Sequence, residues 1–390
     1  MSAYKVGQKR LGNGRPKRKI SRKYSKREGH VDYAILFLVL FLVGFGLVIL
    51  YSTSSYKGSL LYNDTTFWLK KQAVFALVGI IVMILISRVD YHWFQRKRWM
   101  RPVLYIGTVG ILAATFAFGA LSHGSRRWLS VGSITFQPSE MAKITLILFL
   151  AAYISRHASQ MRRIKGLIGP FLLSAVIILI VGVSNLSTAM ILAAITFVMI
   201  FVSSPLYKPF VGLVIAVVLM AVLLIRLQGY RMVRITTWLD PASSEKGDQT
   251  MQGLYAIGSG GLFGKGLGQS MQKLGFLPEA NNDMIFSVIC EELGLFGAIC
   301  VLALFFALLW RLMIIALNAP DLYGSMIVVG VIAHIGIQVF INIAVATNTM
   351  PNTGVPLPFI SYGGSSLFFV LVEMGFVLSV SKYIRVKESR

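Results

Sequence analysis

The run YAILFLVLFLVGFGLVILY, residues 33–51, contains nineteen consecutive residues without a charged side chain. A stretch of this length is long enough to cross a bilayer as one α-helix. Nine further apolar runs follow it, so the sequence predicts an all-α, polytopic membrane protein with about ten transmembrane helices. The ten runs lie near residues 32–52, 69–87, 102–121, 138–154, 167–184, 186–203, 209–225, 290–317, 322–347 and 361–381.

The composition of this 390-residue chain excludes a soluble fold. Hydrophobic residues make up 56% of it, charged residues only 14%, and the mean hydropathy is +0.71. A soluble core cannot bury so many apolar side chains. The net charge of +23 would suggest nucleic acid in a soluble protein, but here the basic residues lie between apolar runs, so no nucleic-acid partner is expected. The two cysteines, Cys290 and Cys300, are interpreted as packing residues.

The distribution of Lys and Arg between the loops predicts the orientation. Twenty-six of them fall on the side of the N-terminal tail and eleven on the other side, which places both termini in the cytoplasm. Residues 1–30 are too basic and polar to fold alone, and we interpret them as a disordered topology signal on the headgroups, with a specific anionic-lipid or protein contact as the alternative. Residues 31–390 form a single membrane domain, with a long extracytoplasmic loop at 226–282.

Ionisable residues at membrane depth are costly, and they usually face the interior of a bundle or a water-filled cavity. The chain has five of them that are candidates for a site: Glu140, Lys143, Glu291, Glu292 and Glu373. Glu140 and Lys143 are three residues apart on one helical face, so a purely structural ion pair explains them as well as a binding role does.

The segment FLPEANNDMIF, residues 276–286, holds Asp283 at the mouth of an apolar helix. A carboxylate there can have a raised pKa or bind a divalent cation, and both properties suit a general base. The alternative interpretation is a helix N-cap. An acid and base pair with Glu291 or Glu292 is excluded, because a continuous helix would separate them from Asp283 by about 12 Å along its axis.

The glycine-rich run GSGGLFGKGLG, residues 258–268, fails the test for a nucleotide-binding loop, because Ser259 and Gly266 break the P-loop pattern. We interpret the run as tight turns or helix contacts, with amides that bind a phosphate as the alternative. Lys and Arg prefer the cytoplasmic side of a membrane protein, so basic residues near the outer surface need a reason. Either a bound phosphate group or ordinary contacts with lipid headgroups and acidic side chains would explain them. These residues are Arg126, Arg127, Lys143, Arg231 and Arg234.

Several blocks of sequence, in one order along the chain, resemble the SEDS family (shape, elongation, division and sporulation), the polytopic peptidoglycan polymerases of the FtsW/RodA type. The resemblance covers nearly the whole chain after the basic tail and is closer to the division or sporulation branch than to the elongation branch. The blocks are RRWL at 126–129, FQPSE at 136–140 with Lys143, residues 256–270 with 272–279, EELG at 291–294 and TGVPLPFISYGGSS at 353–366.

The resemblance implies a glycosyltransferase that polymerises lipid II into β-1,4 glycan strands at the outer face of the cytoplasmic membrane. Asp283 matches the essential acid of the family, and it would deprotonate the acceptor hydroxyl, directly or with a divalent cation such as Mg²⁺ or Mn²⁺. The implied substrate-binding residues are Arg126, Arg127, Glu140, Lys143, Arg231, Arg234, Glu279, Ser361 and Ser365.

The resemblance also implies partners and a location. A single-span class B penicillin-binding protein, which is a transpeptidase, is expected to dock on the eighth and ninth predicted helices, between Cys290 and Thr347. Membrane lipids and other division or sporulation proteins are further expected partners, and the septum is the expected location.

The chain departs from the family pattern at three places. Asn281-Asn282 stands where His-Thr usually precedes the acid, residues 183–188 lack the usual acidic Pro-Asp pattern, and Asn348 replaces a usual glycine. Two other function classes remain open at this point. A flippase for lipid-linked precursors needs a polar path with charged groups at both ends, whereas a non-catalytic scaffold that recruits a transpeptidase has no need of Asp283.

Overall fold

The computed structural model describes residues 31–97, 99–122, 125–131, 134–212, 214–215, 236–243 and 247–384. The basic tail, most of the seventh predicted span at 209–225, and both Arg231 and Arg234 lie outside these residues.

Within the described part of the chain, nine helices are long and apolar enough to cross a membrane, which confirms the all-α, polytopic prediction. Shorter helices connect them, among them the third and the eighth named below. In chain order the helices are α1 (Tyr33–Tyr62), α2 (Phe67–Arg88), α3 (His92–Arg96), α4 (Met100–Phe118), α5 (Pro138–Arg156), α6 (Ile164–Ser184), α7 (Leu186–Ser203), α8 (Asp248–Ser259), α9 (Ile285–Asn318), α10 (Leu322–Ala346) and α11 (Gly364–Ser381).

The loop between α4 and α5 contains a small sheet that the sequence analysis did not predict. Its strands are β1 (Ala120–Ser122), β2 (Ser125–Val131) and β3 (Ile134–Phe136), and they pair antiparallel in the order β1-β2-β3. In the register of the sheet, Leu129 lies opposite Phe136. Strands of three residues are too short to give a readable alternation in the sequence.

The helices form an inner and an outer layer. Along their most apolar windows α5, α10 and α11 are 78%, 72% and 72% buried inside the protein, against 17% for α4 and 22% for α2. Helix α10 contacts α5, α7, α9 and α11, so it is the central helix of the bundle, and α2 packs along α11. The inner helices also carry most of the polar residues that the sequence places at membrane depth, which agrees with the cost of exposing such groups to lipid.

Two helix boundaries have a clear local cause. Asn185 ends α6 and begins α7, because its Oδ1 accepts a hydrogen bond from the amide of Thr188 at 3.1 Å. Helix α1 runs about ten residues beyond its apolar core. Ser54 bonds inside the helix, from its Oγ to the carbonyl of Leu50 at 2.6 Å, and the helix ends at Asn63, whose φ is 52°.

Candidate active site

Asp283 lies in the loop that leads into α9, and its side chain is only 6% exposed. It does not cap the helix. The N-cap of α9 is Met284, and in the described structure no side chain accepts a hydrogen bond from the first turn. The alternative N-cap interpretation of Asp283 is therefore wrong, and the burial of its carboxylate needs another explanation.

The backbone around Asp283 is held by the loop between α10 and α11. Asn342 of α10 donates from Nδ2 to the carbonyl oxygens of Asp283 and Val355, both at 2.8 Å. Ser361 Oγ donates to the carbonyl of Asn282 at 2.6 Å, and the amide of Tyr362 donates to the carbonyl of Asn281 at 2.8 Å. Three consecutive residues that end in the acid are thus fixed, the first two by the α10–α11 loop and Asp283 itself by Asn342 of α10.

The Asp283 carboxylate has few polar neighbours. Gln249 of α8 donates from Nε2 to Oδ1 at 3.5 Å, and a β-carbon built on Gly354 would lie 3.8 Å from Oδ2. Burial, and then the negative charge of Glu279, raise the pKa of Asp283 to about 7. A carboxyl group with this pKa exists in both protonation states near neutral pH, as a general base requires.

Two of the buried acids predicted at membrane depth belong to a network at the centre of the bundle. Glu140 and Lys143 form an ion pair at 2.9 Å, and Glu373 of α11 contacts His334 of α10 at 2.7 Å. Gln338 joins the two pairs, since its Oε1 lies 2.8 Å from His334 Nε2 and 3.4 Å from Lys143 Nζ. Gln338 Nε2 also donates to the carbonyl of Pro356 at 2.9 Å, so the network supports the same loop that holds Asp283.

The other two buried acids hold the outer loop on α9. Glu292 accepts from Lys273 Nζ at 2.8 Å and from Ser52 Oγ of α1 at 2.6 Å. Glu291 accepts from Lys265 Nζ at 2.7 Å and also from the hydroxyl of Ser270. Both carboxylates are fully buried. Their role in the structure is to pair with lysines of the loop, which matches the ion-pair alternative for buried charges.

Helix α9 is interrupted at Gly294, whose φ and ψ are 68° and −167°. The glycine-rich run forms hydrogen bonds with the backbone on both sides of this break. The amides of Lys265 and Gly266 donate to the carbonyls of Glu291 and Glu292 at 3.0 and 2.9 Å, and the amides of Leu295 and Phe296 donate back to the carbonyls of Gly261 and Leu262 at 2.9 and 3.0 Å. The run therefore satisfies backbone groups that the break leaves without helical partners. The interpretation as helix contacts is confirmed.

The two described arginines of the predicted phosphate site lie on β2 and bond to helix ends. Arg126 donates from Nη1 to the carbonyl of Phe116 at 3.2 Å, at the end of α4. Arg127 donates from Nε to the carbonyl of Ser184 at 2.7 Å, at the end of α6. A cation at a helix C-terminus is stabilising without any ligand.

The serines and Glu279 of the predicted site fall close to Asp283 in the fold. Ser361 fixes the Asn282 carbonyl, as described above, and it accepts from the amide of Leu357 at 2.8 Å. Ser365 is buried in the first turn of α11. Glu279 is exposed and accepts from the side chain of Asn282, so the Asn that replaces the usual Thr takes part in the loop.

The donor set at Asp283 fits a divalent cation only in part. In the described residues, no group of three His, Cys, Asp or Glu side chains is placed to hold a metal ion. Mg²⁺ is commonly held by one or two carboxylates and the phosphates of a substrate, and Asp283 with Glu279 would match that pattern. A cation that arrives with a phosphorylated substrate would have Asp283 and Glu279 as its carboxylate ligands.

Sequence reasoning missed the residues that position the acid. Polar His334, Gln338 and Asn342 recur every four residues along the apolar helix α10, so they share one face. That spacing was a usable signal, because polar side chains at one face of a membrane helix point to a buried network. Gln249 and Gly354 gave no such signal, since neither the short helix α8 nor the loop after α10 has a position that the sequence alone determines.

The fold and the site together define a multi-span membrane protein with a buried carboxylate at the mouth of a helix, next to a segment that is held by α10 and the loop after it. The chain belongs to the FtsW/RodA/SpoVE family, whose model, described as cell cycle protein, matches residues 33–386.

Relatives and solved structures agree with this assignment. Stage V sporulation protein E of Bacillus subtilis (strain 168) is 40% identical over 359 residues, which covers 91% of this chain and 98% of that protein. The probable peptidoglycan glycosyltransferase FtsW of Geobacter sp. (strain M18) is 35% identical and covers 92% of this chain and 98% of its own.

Two solved structures share the fold. A chain of a peptidoglycan synthase complex, studied for the structural coordination of polymerization and crosslinking, aligns with a TM-score of 0.75 at 28% identity, over 90% of this chain and 97% of that one. The rod shape determining protein RodA of Thermus thermophilus aligns with a TM-score of 0.67 at 28% identity, over 92% and 98%.

Proposed function

We propose that this protein is a peptidoglycan glycosyltransferase, which polymerises lipid II into glycan strands at the outer face of the cytoplasmic membrane during cell division or sporulation. The observation that carries the proposal is Asp283, a buried carboxyl group with a pKa of about 7 in a segment that is fixed by α10 and the α10–α11 loop. The names of the relatives supply the reaction class, and the sporulation relative matches over 98% of its own length.

In the proposed reaction, the hydroxyl oxygen of the acceptor sugar forms a bond to the anomeric carbon of the donor, and the bond from that carbon to the polyprenyl pyrophosphate breaks. Asp283 accepts the proton of the hydroxyl. A single displacement converts the α-linked donor into a β-linked product, so the step needs a base and a stabilised leaving group but no enzyme nucleophile. A divalent cation, when bound, would neutralise charge on the departing pyrophosphate.

The remaining candidates receive separate roles in this proposal. Glu279 keeps the pKa of Asp283 high through its negative charge. The Glu140–Lys143 pair contacts Gln338, which in turn holds the α10–α11 loop through the carbonyl of Pro356. Arg126 and Arg127 are placed on β2 beside the ends of α4 and α6, and a guanidinium group there would suit the phosphate oxygens of the substrate.

The pH dependence of the rate should report the protonation of Asp283. Because a base must be deprotonated, we expect the rate of polymerisation to rise about tenfold per pH unit below a pH of about 7 and to level off above it. The measurement is the initial rate between pH 5.5 and 8.5, with Glu279→Gln as the comparison. Loss of that negative charge should move the midpoint to lower pH. An unchanged midpoint in this variant would contradict the electrostatic assignment.

We further propose that the partner is a class B penicillin-binding protein. One structural neighbour is a peptidoglycan synthase complex, and α9 has a long exposed apolar face that would suit a single transmembrane helix. Helix α10, by contrast, is 72% buried along its window, so it offers little docking surface and the dock would lie on α9. The exposed large apolar residues of α9 are Leu295, Phe296, Ile299, Leu302, Phe306, Trp310, Met313 and Leu317.

A charge on this face should break the complex. We expect Ile299→Arg to abolish co-purification of the transpeptidase while the protein stays folded, because an arginine there would be buried without a partner against an apolar helix. Leu85→Arg on α2 is the matched control, since Leu85 is 55% exposed and Ile299 54%. If scanning the face of α9 with charges never weakens the complex, the dock lies elsewhere.

The proposed location is the cytoplasmic membrane at the division or sporulation septum, with both termini in the cytoplasm. The loop charges support this orientation, since the tail and the loops on its side carry most of the Lys and Arg residues. Other division or sporulation proteins are expected in the assembly.

Two rival classes are less well supported. A flippase needs charged groups that line a path, but the described buried acids at membrane depth are paired within the protein. A scaffold does not need a buried acid with a perturbed pKa. The deciding experiment combines purified protein, lipid II and a divalent cation, with and without the transpeptidase, and measures glycan strands on a gel. Strands from the complex support the proposal, whereas transport of lipid II without strands favours the flippase.

A further inference from the structure

Four aromatic rings meet at the Asp283 end of the bundle, and the mechanism above does not use them. Tyr62 and Phe67 stack with ring centroids 3.7 Å apart and planes at 11°. The indole of Trp68 lies edge-on to Tyr362 at 4.9 Å, to Phe67 at 5.3 Å and to Tyr62 at 5.7 Å. We call these residues, Tyr62, Phe67, Trp68 and Tyr362, the aromatic shelf.

The aromatic shelf is joined to the acid by backbone contacts. Gln72 lies one turn after Trp68 on the same face of α2, and its Nε2 donates to the carbonyl of Ser361 at 3.2 Å. The amide of Gly363 donates to Gln72 Oε1 at 3.2 Å. Between them, the amide of Tyr362 bonds to Asn281, two residues before Asp283. The segment that carries Tyr362 is therefore the segment that fixes the loop before Asp283.

The aromatic shelf is open to a ligand. Tyr62 is 48% exposed, and the other three side chains are partly exposed. Trp68 Nε1 has no hydrogen-bond partner in the described part of the chain, which is costly for a shielded N–H. Lys71 Nζ lies 4.3 Å from the Phe67 ring centroid and adds positive charge at the rim.

These features match the chemistry of a sugar chain. The negative face of an aromatic ring attracts the polarised C–H groups of a sugar ring. The pentapeptide of a peptidoglycan unit ends in a carboxylate, which would suit the lysine. Aromatic residues also occur at membrane interfaces for their affinity to headgroups. Such a belt has no need of the ring contact between Trp68 and Tyr362, or of the hydrogen bonds from Gln72 to the segment that fixes the loop before Asp283.

We propose that the aromatic shelf binds a sugar ring of the glycan strand and holds the strand beside Asp283 between additions. The proposal rests on the proposed function. Because the shelf lies outside the site of bond formation, its loss should release the strand early and shorten the products more than it slows the first addition.

The test uses the full chain with its transpeptidase and measures two quantities. The first is the length distribution of strands made from lipid II. The second is the affinity of the inactive Asp283→Asn protein for labelled, uncrosslinked glycan strands of defined length. For Trp68→Ala we expect binding that is about threefold to tenfold weaker, and strands shortened to match, from the loss of one aromatic contact. Trp68→Phe, which keeps an aromatic ring of smaller area, should fall between.

The control is Trp99→Ala, since Trp99 is 60% exposed and lies next to α4 at the opposite end of that helix from the sheet. It should leave both readouts as in the wild type. If Trp68→Ala lowers the melting temperature by several degrees, Trp68→Phe and Tyr62→Ala replace it.

The outcomes separate the two proposals. If the protein makes no glycan but binds strands in a way that depends on Trp68, the proposed function is overturned and the binding role of the aromatic shelf is supported. If folded Trp68→Ala polymerises normally, with the strand length and strand affinity of the wild type, the binding role of the aromatic shelf is overturned and the proposed function is supported. If Trp68→Ala changes only the stability of the protein in different lipids, the strand-binding proposal is also overturned, and the four aromatic residues are an interfacial belt.

Discussion

Asp283→Asn should stop glycan synthesis while the protein stays folded and still binds its transpeptidase. The amide cannot accept the proton of the acceptor hydroxyl and has no charge for a cation, so we expect the rate of polymerisation to fall by roughly a hundredfold or more, as for loss of a general base. The measurement is the glycan product made from lipid II by the purified complex, with protein quantity and partner binding checked in the same preparation.

The stability of this variant should separate catalysis from folding. The pKa of Asp283 is raised from 3.8 to about 7, so the charged form is disfavoured in the folded state. The free energy of unfolding is therefore highest, as far as Asp283 is concerned, below the pKa of the unfolded state. It falls as the pH rises through the pKa of the folded state, because the folded protein then holds a buried charge. At pH 8, therefore, replacing the charged Asp283 by a neutral amide should leave the melting temperature unchanged or higher.

Asp248→Asn is the matched control for Asp283→Asn. Asp248 begins α8 in the same outer loop and is exposed, so its replacement should preserve glycan synthesis. Normal polymerisation by a folded Asp283→Asn protein would falsify the catalytic assignment and would return the flippase and scaffold classes to consideration. Glu140→Gln and Lys143→Met should also reduce activity, but each leaves a buried charge unpaired, and the melting temperature has to be measured beside the rate.

The sequence was sufficient for features that depend on length and hydropathy. The described spans begin or end within a few residues of the apolar runs for most helices, and the turn at Asn185 falls where the run is interrupted. The acid at 283 was identified from its position between a polar loop and an apolar helix. A bilayer imposes these patterns, because each span must be apolar over a fixed length and must satisfy its own backbone groups.

The sequence was insufficient for contacts between distant segments. Nothing local places Asn342 under Asp283, 59 residues away, or Trp68 against Tyr362. The interruption of α9 was missed for the same reason. An isolated glycine in an apolar helix is tolerated in many proteins, and only the partner segment reveals that Gly294 is not helical. The distance of about 12 Å between Asp283 and the two glutamates concerned the part of α9 before this break, so the argument against a carboxylate pair is unaffected.

Gly294→Ala should have the second largest effect, because the break in α9 needs glycine for two independent reasons. The backbone angles of 68° and −167° lie in a region that is essentially restricted to glycine. A β-carbon there would also lie 2.4 Å from the amide nitrogen of Gly264 and 2.5 Å from the carbonyl oxygen of Leu262. Both neighbours are backbone atoms of the segment that completes the break, so they cannot turn aside as a side chain would.

We expect Gly294→Ala to lower the stability by about 3 kcal/mol or more, since strain at such a position costs of order 1–3 kcal/mol before any clash is added. The variant should also lose most of its glycan synthesis, because displacement of the glycine-rich run separates Lys265 and Lys273 from the glutamates of the α9 segment that follows Asp283. The measurements are the melting temperature in detergent, the rate of polymerisation, and proteolysis of residues 247–283.

Gly44→Ala is the matched control, since Gly44 lies in a regular part of α1 and a β-carbon there meets no atom within 4 Å. Alanine is the better helix former by about 1 kcal/mol, so this variant should be at least as stable as the wild type. The two substitutions add the same methyl group to helices of the same protein. A Gly294→Ala protein as stable and as active as Gly44→Ala would show that α9 is continuous in the working enzyme and that the glycine-rich run does not hold the segment next to the acid.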